Sequence, residues 1–363
     1  MTSPIDKLKV VEISHSNDYF NEINKYKSNL VSKNLPVIYS LPHLCLIAGV
    51  NVNKIFKFCQ SDRQNYYRRF KLRKKRGGYR FIQTPKDELK YLQKWILINI
   101  LNKSLSHQSC KGFDPKTSIK KNAEIHLNRE AILKIDLLRF YDSLTERRVF
   151  GLFKKLGFHP NLSVSIAKIC TINPNDIFLK SFRKNELNIK KFILEKNQGI
   201  LPQGAPSSPK ISNLIALNLD NRLYKLSKKN NITYSRYADD LTFSGKIETL
   251  RRLKKVVYKI IKDENLFINY SKTKFLIRGN RFFVTGLSVN NSIVTIPKKK
   301  KVDIEHHLFH CLKNGVQKHL TRSKIKNRNF KHWLFGNIAF VHSVEKELGE
   351  KYFNDFNKIQ WPI

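Results

Sequence analysis

Two adjacent acids, Asp239 and Asp240, sit where two short strand-like runs meet. Before them Ile232, Tyr234 and Arg236 alternate with Thr233 and Ser235, and after them Leu241-Thr242-Phe243-Ser244-Gly245 alternates again. That period of two is the signature of a hairpin, here with carboxylates at its tip. A third acid, Asp136, closes another strand-like run, Ile132-Leu133-Lys134-Ile135-Asp136, far earlier in the chain. Three carboxylates held together repel one another and raise each other's pKa unless divalent cations neutralise them. Mg²⁺ takes a few carboxylates together with retained waters and substrate phosphates. Two such ions can clamp the attacking and leaving oxygens of an in-line phosphoryl displacement. The chemistry these acids would do together is nucleotidyl transfer. Taken singly, acids at strand ends merely solvate a bend, and two unrelated strand ends remain an equal explanation at this point.

The 363 residues are enough for two or three domains with substantial cores. Lys and Arg number 69 against 28 Asp and Glu, a net charge of +41 that favours a polyanionic partner, with nucleic acid ahead of a membrane surface. A hydrophobic content of 41% with 24 Phe marks a folded chain rather than a basic disordered tail. The five cysteines, Cys45, Cys59, Cys110, Cys170 and Cys311, are scattered and never form a C-x-x-C pair, which reads as buried thiols in a reducing compartment. The opening MTSPIDKLKV lacks an apolar signal core and no window is long and apolar enough to span a bilayer, so a cytoplasmic protein with no membrane partner is expected. Pro297-Lys298-Lys299-Lys300-Lys301-Val302 resembles a nuclear-import signal, but in so lysine-rich a chain a phosphate-contacting linker is the better reading.

Residues 1–40 read as a helical or mobile lead-in. Lys71 to Ile82 read as strand, basic turn at Gly77-Gly78, strand, followed by a helix with Thr84 as N-cap, Pro85 at its first position and Leu89, Leu92, Trp95, Ile96 and Ile100 inward. Residues 146–157 form a helix with Val149, Phe150, Phe153 and Leu156 inward and capping-box spacing between Ser143 and Glu146. Residues 171–198 read as a polar, insertion-like loop, and Pro209 opens the next helix. Ile247, Leu250, Leu253, Val257, Ile260 and Ile261 form the apolar stripe of an amphipathic helix. Phe282–Val289 and Ser292–Ile296 flank Asn290-Asn291, which suits a tight hairpin turn. From 298 the pattern is helical throughout: Val302, Leu308, Phe309 and Leu312, then Trp333, Leu334, Ile338, Val341 and Val344. Mixed strands and helices followed by helices alone give an α+β fold with a helical appendage.

In this order the pieces resemble a reverse transcriptase, and more narrowly a bacterial retron reverse transcriptase. Asp136-Leu137-Leu138-Arg139-Phe140-Tyr141 resembles the first catalytic strand, Leu201-Pro202-Gln203-Gly204-Ala205-Pro206-Ser207-Ser208-Pro209 the template-and-nucleotide loop, and Tyr237-Ala238-Asp239-Asp240 the metal hairpin. Asn269-Tyr270-Ser271-Lys272-Thr273 is similar to the segment that follows it. Asn122-Ala123-Glu124-Ile125-His126 fits the retron pattern N-A-x-x-H, and Val284-Thr285-Gly286 fits V-T-G. Each motif is weak alone; six in the right order, over roughly residues 35 to 345, are not chance.

The resemblance implies a right-hand polymerase: a lead-in at 1–40, fingers and an RRM-like palm at 41–297, and an all-helical, RNA-binding thumb at 298–363. It implies two Mg²⁺ ions held by Asp136 and Asp239, with Asp240 nearby and the Leu137 carbonyl assisting. It implies dNTP substrates and a dedicated structured noncoding RNA serving as both template and primer. In that family synthesis starts from the 2′-OH of an internal guanosine, leaves branched RNA–DNA (msDNA), and is often paired with an effector protein in anti-phage defence.

The same resemblance suggests roles for further residues. Tyr141 would exclude a ribose 2′-OH, although five positions after Asp136 a continuous strand would put it on the opposite face. Lys74 and Arg80, flanking Gly77-Gly78, are candidates to hold the triphosphate, Arg as a fork and Lys as a point charge. Gln203 offers donor and acceptor groups, and Gly204 close backbone approach. Lys272 would donate a proton to departing pyrophosphate. Asn122 and His126 are candidate RNA contacts, with a structural histidine an equal alternative, and Val284, Thr285 and Gly286 are candidates for the primer or branch-forming RNA. His306 and His310 share a helical face and invite a zinc reading, but no further ligand pair is evident, which favours a solvated or RNA-facing helix. Trp333 and Gly336 are candidate RNA contacts, since Gly inside a helix costs about 1 kcal/mol against Ala and suggests close approach by a partner. An intron-type or diversity-type reverse transcriptase shares the acids but often carries maturase or endonuclease appendages that are not seen here. A catalytically idle RNA-binding scaffold or antitoxin would have little reason to keep all three acids.

Overall fold

The computed structural model describes residues 17–73, 79–279, 281–325 and 328–362. In chain order its elements are α1 (Asn17–Ser32), α2 (Leu41–Ala48), α3 (Val52–Gln60), β1 (Tyr67–Arg73), β2 (Tyr79–Pro85), α4 (Asp87–Asn99), α5 (Ile119–Glu124), β3 (Ala131–Leu137), α6 (Glu146–Leu156), α7 (Pro160–Cys170), α8 (Asp176–Leu179), α9 (Leu187–Lys196), α10 (Ser208–Ile215), α11 (Leu217–Lys229), β4 (Thr233–Tyr237), β5 (Asp240–Gly245), α12 (Ile247–Asp263), β6 (Ile268–Ile277), β7 (Phe283–Val284), β8 (Leu287–Ser288), α13 (Lys298–Asn314), α14 (Val316–Arg322), α15 (Phe330–His342) and α16 (Lys346–Asn357). They fall into two compact units, one made of Met1–Ser106 and Arg139–Leu217, the other of His107–Leu138 and Asn218–Ile363.

The first unit is mostly helical, with the antiparallel β1–β2 hairpin attached. Its core gathers Leu89, Leu92 and Ile96 of α4, Val149 and Phe153 of α6, and Ile166 and Ile169 of α7. Gln93 is buried there, and its amide NH2 donates to the Ile169 carbonyl (2.7 Å) and the Tyr67 hydroxyl (3.1 Å), while its side-chain oxygen has no partner among the described residues. Three expectations change. β2 runs through Pro85 and α4 starts at Asp87, so Thr84 is not a cap: a ladder that pairs Tyr67 with Pro85 holds those residues extended. Ser143 does not cap α6 either, because its hydroxyl donates to the Phe140 carbonyl, while the Glu146 carboxylate is taken by Arg63 and Thr171. Residues 171–198 are largely helical, with Ile189 and Ile193 of α9 buried; the Lys/Asn content hid two apolar residues at helical spacing. Lys74 and the Gly77-Gly78 turn lie outside the described residues.

The second unit is built on a four-stranded antiparallel sheet in the order β4-β5-β3-β6. Directly paired residues share a face. The pairs Leu133–Phe243, Ile135–Leu241, Tyr234–Phe243 and Arg236–Leu241 therefore mark one face, and Asp136–Asp240, Lys134–Thr242 and Ser235–Thr242 the other. α12 buries Leu250, Leu253, Val257, Ile260 and Ile261, the stripe expected from spacing. A separate core joins Ala123 and Ile132 to β7, β8 and the C-terminal helices through Val284, Leu287, Ile304, Leu308, Leu334, Ile338 and Val341. The inner face of α13 is Ile304, Leu308 and Cys311, whereas Val302, Phe309, Leu312 and Trp333 are exposed. The tight turn is not at Asn290-Asn291. It lies between Val284 and Leu287, where Thr285 (φ 47°) and Gly286 (φ 84°) are both left-handed, the backbone a two-residue type I′ hairpin requires. The Asn290 side chain instead accepts from the Phe282 amide (2.8 Å). All five cysteines are free thiols, and among the described residues no helix is long and apolar enough to cross a membrane.

Candidate active site

The sheet register of the second unit brings the three acids to one corner. Asp136 is the residue paired with Asp240, and the Leu137 amide donates to the Asp239 carbonyl (2.9 Å), stitching the tip of the β4–β5 hairpin to the end of β3. Partial burial and the charges of Asp136 and Asp240 push the Asp239 carboxyl up to about 6. Asp240 is also raised, chiefly by burial, with Lys134 opposing the shift from 4.0 Å. Lys272 Nζ lies 2.9 and 3.0 Å from the two Asp136 oxygens, and the Asn269 amide donates to Asp136 at 2.7 Å. A bulge makes that reach possible. Lys134 pairs with Lys274 and Asp136 with Asn269, so five steps along β6 answer two along β3, and Lys272 rides on the excess.

The donor set suits a hard divalent cation, being all oxygen, with three carboxylates against the two ammonium groups of Lys272 and Lys134. Among the described residues no three acids, imidazoles or thiols are arranged to cage an ion unaided. Mg²⁺ does not need such a cage, since it is usually held by one or two carboxylates together with substrate phosphates.

The hairpin tip is braced from the opposite face of the sheet. The connection between Tyr237 and Asp240 has two residues, and the first, Ala238, sits at φ 53°, where a side chain costs about 1–2 kcal/mol. Arg236 Nη1 donates to the Ala238 carbonyl at 3.1 Å. The guanidinium is fully buried and paired with the equally buried Asp220 of α11, Nε to Oδ1 at 2.9 Å and Nη2 to Oδ2 at 2.7 Å, with the Tyr234 hydroxyl donating to Asp220 at 2.7 Å. The Arg236 backbone is held by Ser109 and Lys111 at 2.8 Å each. Sequence reading did not find this brace. Alternation made Arg236 an ordinary strand residue, and nothing in spacing links it to Asp220.

The first unit assembles a second group. β3 stops at Leu137, Arg139 is left-handed (φ 47°), and Tyr141–Ser143 is a 3₁₀ turn, so strand parity does not govern Tyr141. The Leu201 amide donates to the Leu144 carbonyl (2.9 Å), and the Gln83 amide to the Gln203 carbonyl (2.8 Å). These bonds tie the Tyr141 turn, the Gln203-Gly204 loop and β2 to one another. Gly204 is exposed at φ 124°, and a Cβ there would lie 2.7 Å from the Ile82 side chain. Arg80 is exposed on β2.

Several expected RNA contacts are elsewhere. His126 is fully buried, its ring nitrogens 2.7 Å from Ser244 Oγ and 2.8 Å from Ser235 Oγ, and burial pushes its pKa down to about 3. It clamps β4 and β5 and offers nothing to RNA. Asn122 and Val284 are buried too. Asn122 Nδ2 lies 3.5 Å from Thr285 Oγ1, which donates to the Ile119 carbonyl (3.2 Å), so the N-A-x-x-H and V-T-G segments touch each other. Gly286 is exposed at the turn. Trp333 is 43% exposed, with one side against Phe330 and His307, and Gly336 faces open space. The His306–His310 face is not simply solvated. His319 of α14 joins it, buried and bonded to His307 (2.9 Å), in a cluster where burial, and then the neighbouring imidazoles, keep His307, His310 and His319 below the usual imidazole pKa.

The family model for reverse transcriptase (RNA-dependent DNA polymerase) matches residues 72–324. The retron Mx162 reverse transcriptase of Myxococcus xanthus is 30% identical over 326 residues, 86% of this chain and 65% of its own length. The retron Ec86 reverse transcriptase of Escherichia coli is 33% identical over 285 residues, 77% of each chain. The retron Mx65 reverse transcriptase of Myxococcus xanthus is 32% identical over 271 residues, 74% of this chain and 62% of its own. The chain thus spans slightly under two thirds of the two Myxococcus relatives.

Proposed function

Since this chain belongs to the reverse transcriptase family, and within it to the retron reverse transcriptases, we propose that it is an RNA-directed DNA polymerase that copies its own structured noncoding RNA into branched msDNA. The observation that carries the reading is the Asp136–Asp240 register with Asp239 beside it, three carboxylates of which one is raised to about 6 by burial and by the other two. Enzymes of this family generally use divalent metal ions. Here Asp136, Asp239 and Asp240, with the Leu137 carbonyl, would hold two Mg²⁺. When bound, the ions would supply charge neutralisation at the phosphate undergoing in-line displacement.

The remaining roles belong to the chain's own side chains. Lys272, held against Asp136 and 54% exposed, is suited to give a proton to departing pyrophosphate. Gln203 and Gly204 receive the nucleotide, Lys74 and Arg80 its phosphates, and Tyr141 rejects a ribose 2′-OH. The fingers and palm are residues 41–297 and the thumb 298–363, with Thr285, Gly286, Trp333 and Gly336 toward RNA. The left-handed V-T-G turn and the exposed Gly336 support that assignment, since neither has a packing partner for a side chain at its glycine. The charge of +41 supports an RNA polyanion as template and primer. Five free thiols fit the reducing bacterial cytoplasm. An effector protein in anti-phage defence completes the proposal.

Purification of the chain expressed with its adjacent noncoding RNA tests the proposal. Copurifying branched RNA–DNA, absent when Asp239 is replaced by Asn, is expected; RNA alone in both preparations would overturn it.

A further inference from the structure

Arg139 follows the strand that ends in the catalytic acid, and its surroundings give the 171–198 segment a task. Its backbone is left-handed at φ 47°, which is unusual for a long side chain and persists only when neighbours over-determine it. The neighbours are specific. One guanidinium nitrogen pairs with Asp142 at 3.2 Å. The other lies 2.9 Å from Glu186 and 3.1 Å from the Ser181 carbonyl. The guanidinium carbon stands 3.7 Å from the centroid of the Phe182 ring, a close stacking distance for a cation on an aromatic face. Phe182 is itself braced edge-on by Phe178 at 5.2 Å. The side chains of Arg139, Asp142 and Glu186 are all largely buried, so solvent screens these pairs little.

The clip closes around Tyr141. Arg139 and Asp142 bracket it in sequence, and the Ser143 amide donates back to the Arg139 carbonyl at 3.0 Å, forming the turn on which Tyr141 sits. The same turn is bonded through Leu144 to Leu201 at the entrance of the Gln203-Gly204 loop. Whatever fixes Arg139 therefore holds the backbone turn that carries Tyr141 against that loop. We infer that Arg139, anchored on Phe182, Ser181 and Glu186, is a positioning residue for Tyr141, and that the 171–198 segment sets the enzyme's discrimination between deoxyribo- and ribonucleotides. This rests on the reading of Tyr141 as the sugar gate.

The physical reason is the steepness of steric exclusion. A gate rejects a 2′-OH only while its ring cannot retreat, and a turn released from a three-way anchor can yield by a fraction of an ångström. Acceptance of dNTPs needs no such rigidity. Loss of the anchor should thus relax discrimination more than it slows DNA synthesis. A merely structural role would slow both substrates together and leave their ratio unchanged.

The test measures kcat/KM for dGTP and GTP on one primed RNA template with the full chain and four variants. Tyr141→Ala is the reference for a lost gate. Arg139→Met removes the charge and keeps the stem, Phe182→Leu removes the stacking surface, and Glu186→Gln removes one ion pair. Arg139→Met is expected to lower the dGTP/GTP preference about tenfold, mainly by a fall in KM for GTP, with Phe182→Leu and Glu186→Gln intermediate. If Tyr141→Ala lowers the preference and the other three leave it at the wild-type value, the inference is overturned while the gate reading stands. If Tyr141→Ala itself changes nothing, the gate reading falls and the inference with it. Should Arg139→Met prove insoluble, Phe182→Leu and Glu186→Gln decide by the same ratio.

Discussion

Replacing Asp220 by Asn should destabilise the second unit by about 3–5 kcal/mol, the usual cost of breaking a buried ion pair by removing one partner. The value follows from the site. Arg236 and Asp220 are both at 0% side-chain exposure, and the guanidinium meets the carboxylate through two bonds, so no water can replace the lost charge. Asn keeps one acceptor for the Tyr234 hydroxyl and Arg236 Nε but turns an amide donor toward Arg236 Nη2. Against a typical total of roughly 5–15 kcal/mol the loss is large. Urea unfolding of wild type, Asp220→Asn, Arg236→Gln and the double variant forms a cycle, and the double variant should lose about 1–3 kcal/mol less than the sum of the singles. Arg236→Gln and the double variant should also slow DNA synthesis below their melting range, because the Ala238 carbonyl loses its donor and the strained tip can relax away from the Asp136 strand. A loss under about 1 kcal/mol for Asp220→Asn, or strict additivity in the cycle, would refute the brace.

Three further outcomes are expected. His126 is held neutral, its pKa pushed down to about 3, whereas the unfolded imidazole titrates near 6.5, so the unfolded chain takes up the proton first and stability falls as pH drops below about 6.5. Urea unfolding from pH 6.5 to 4.5 should lose about 1.4 kcal/mol per pH unit through this residue, and His126→Gln should flatten the slope by that amount; an unchanged slope would exclude the buried clamp. Gly204→Ala meets a left-handed backbone and the Ile82 side chain, and should raise KM for dNTPs while leaving affinity for RNA as in wild type, measured by steady-state kinetics and filter binding. RNA affinity itself should drop by about 10³ or more between 50 and 200 mM salt if some six or more phosphates are contacted, and a flat response in the binding isotherms would contradict the electrostatic reading.

Much of this architecture is written in local pattern. The β4–β5 hairpin announces itself because its residues alternate on both sides of an acid pair, and α12 because Leu250, Leu253, Val257, Ile260 and Ile261 recur at helical spacing. What escapes is every feature made by pairing across distance. Arg236 looks like a strand polar residue until Asp220 is seen behind it, and His126 looks available until Ser235 and Ser244 are found on its two nitrogens. The bulge that carries Lys272 toward Asp136 leaves no mark in β6, whose residues read as one strand. The tight turn fell to Thr285-Gly286 rather than Asn290-Asn291 because the buried Val284 and Leu287 fix the register, overriding the stronger turn preference of Asn. Val302, Phe309 and Leu312 fit an apolar stripe with Leu308 on paper, yet of these the core takes only Leu308, joined by Ile304 and Cys311.

The central claim is that Asp136, Asp239 and Asp240 work as one charged centre for nucleotidyl transfer. Primer extension on an RNA template across a Mg²⁺ titration, comparing wild type with Asp239→Asn, tests it most directly, with RNA binding by both proteins measured in parallel. Synthesis should fall by at least about a thousandfold and not recover at any Mg²⁺ concentration, while RNA affinity stays within twofold of wild type, about 0.4 kcal/mol. DNA synthesis at the wild-type rate by Asp239→Asn would contradict the account.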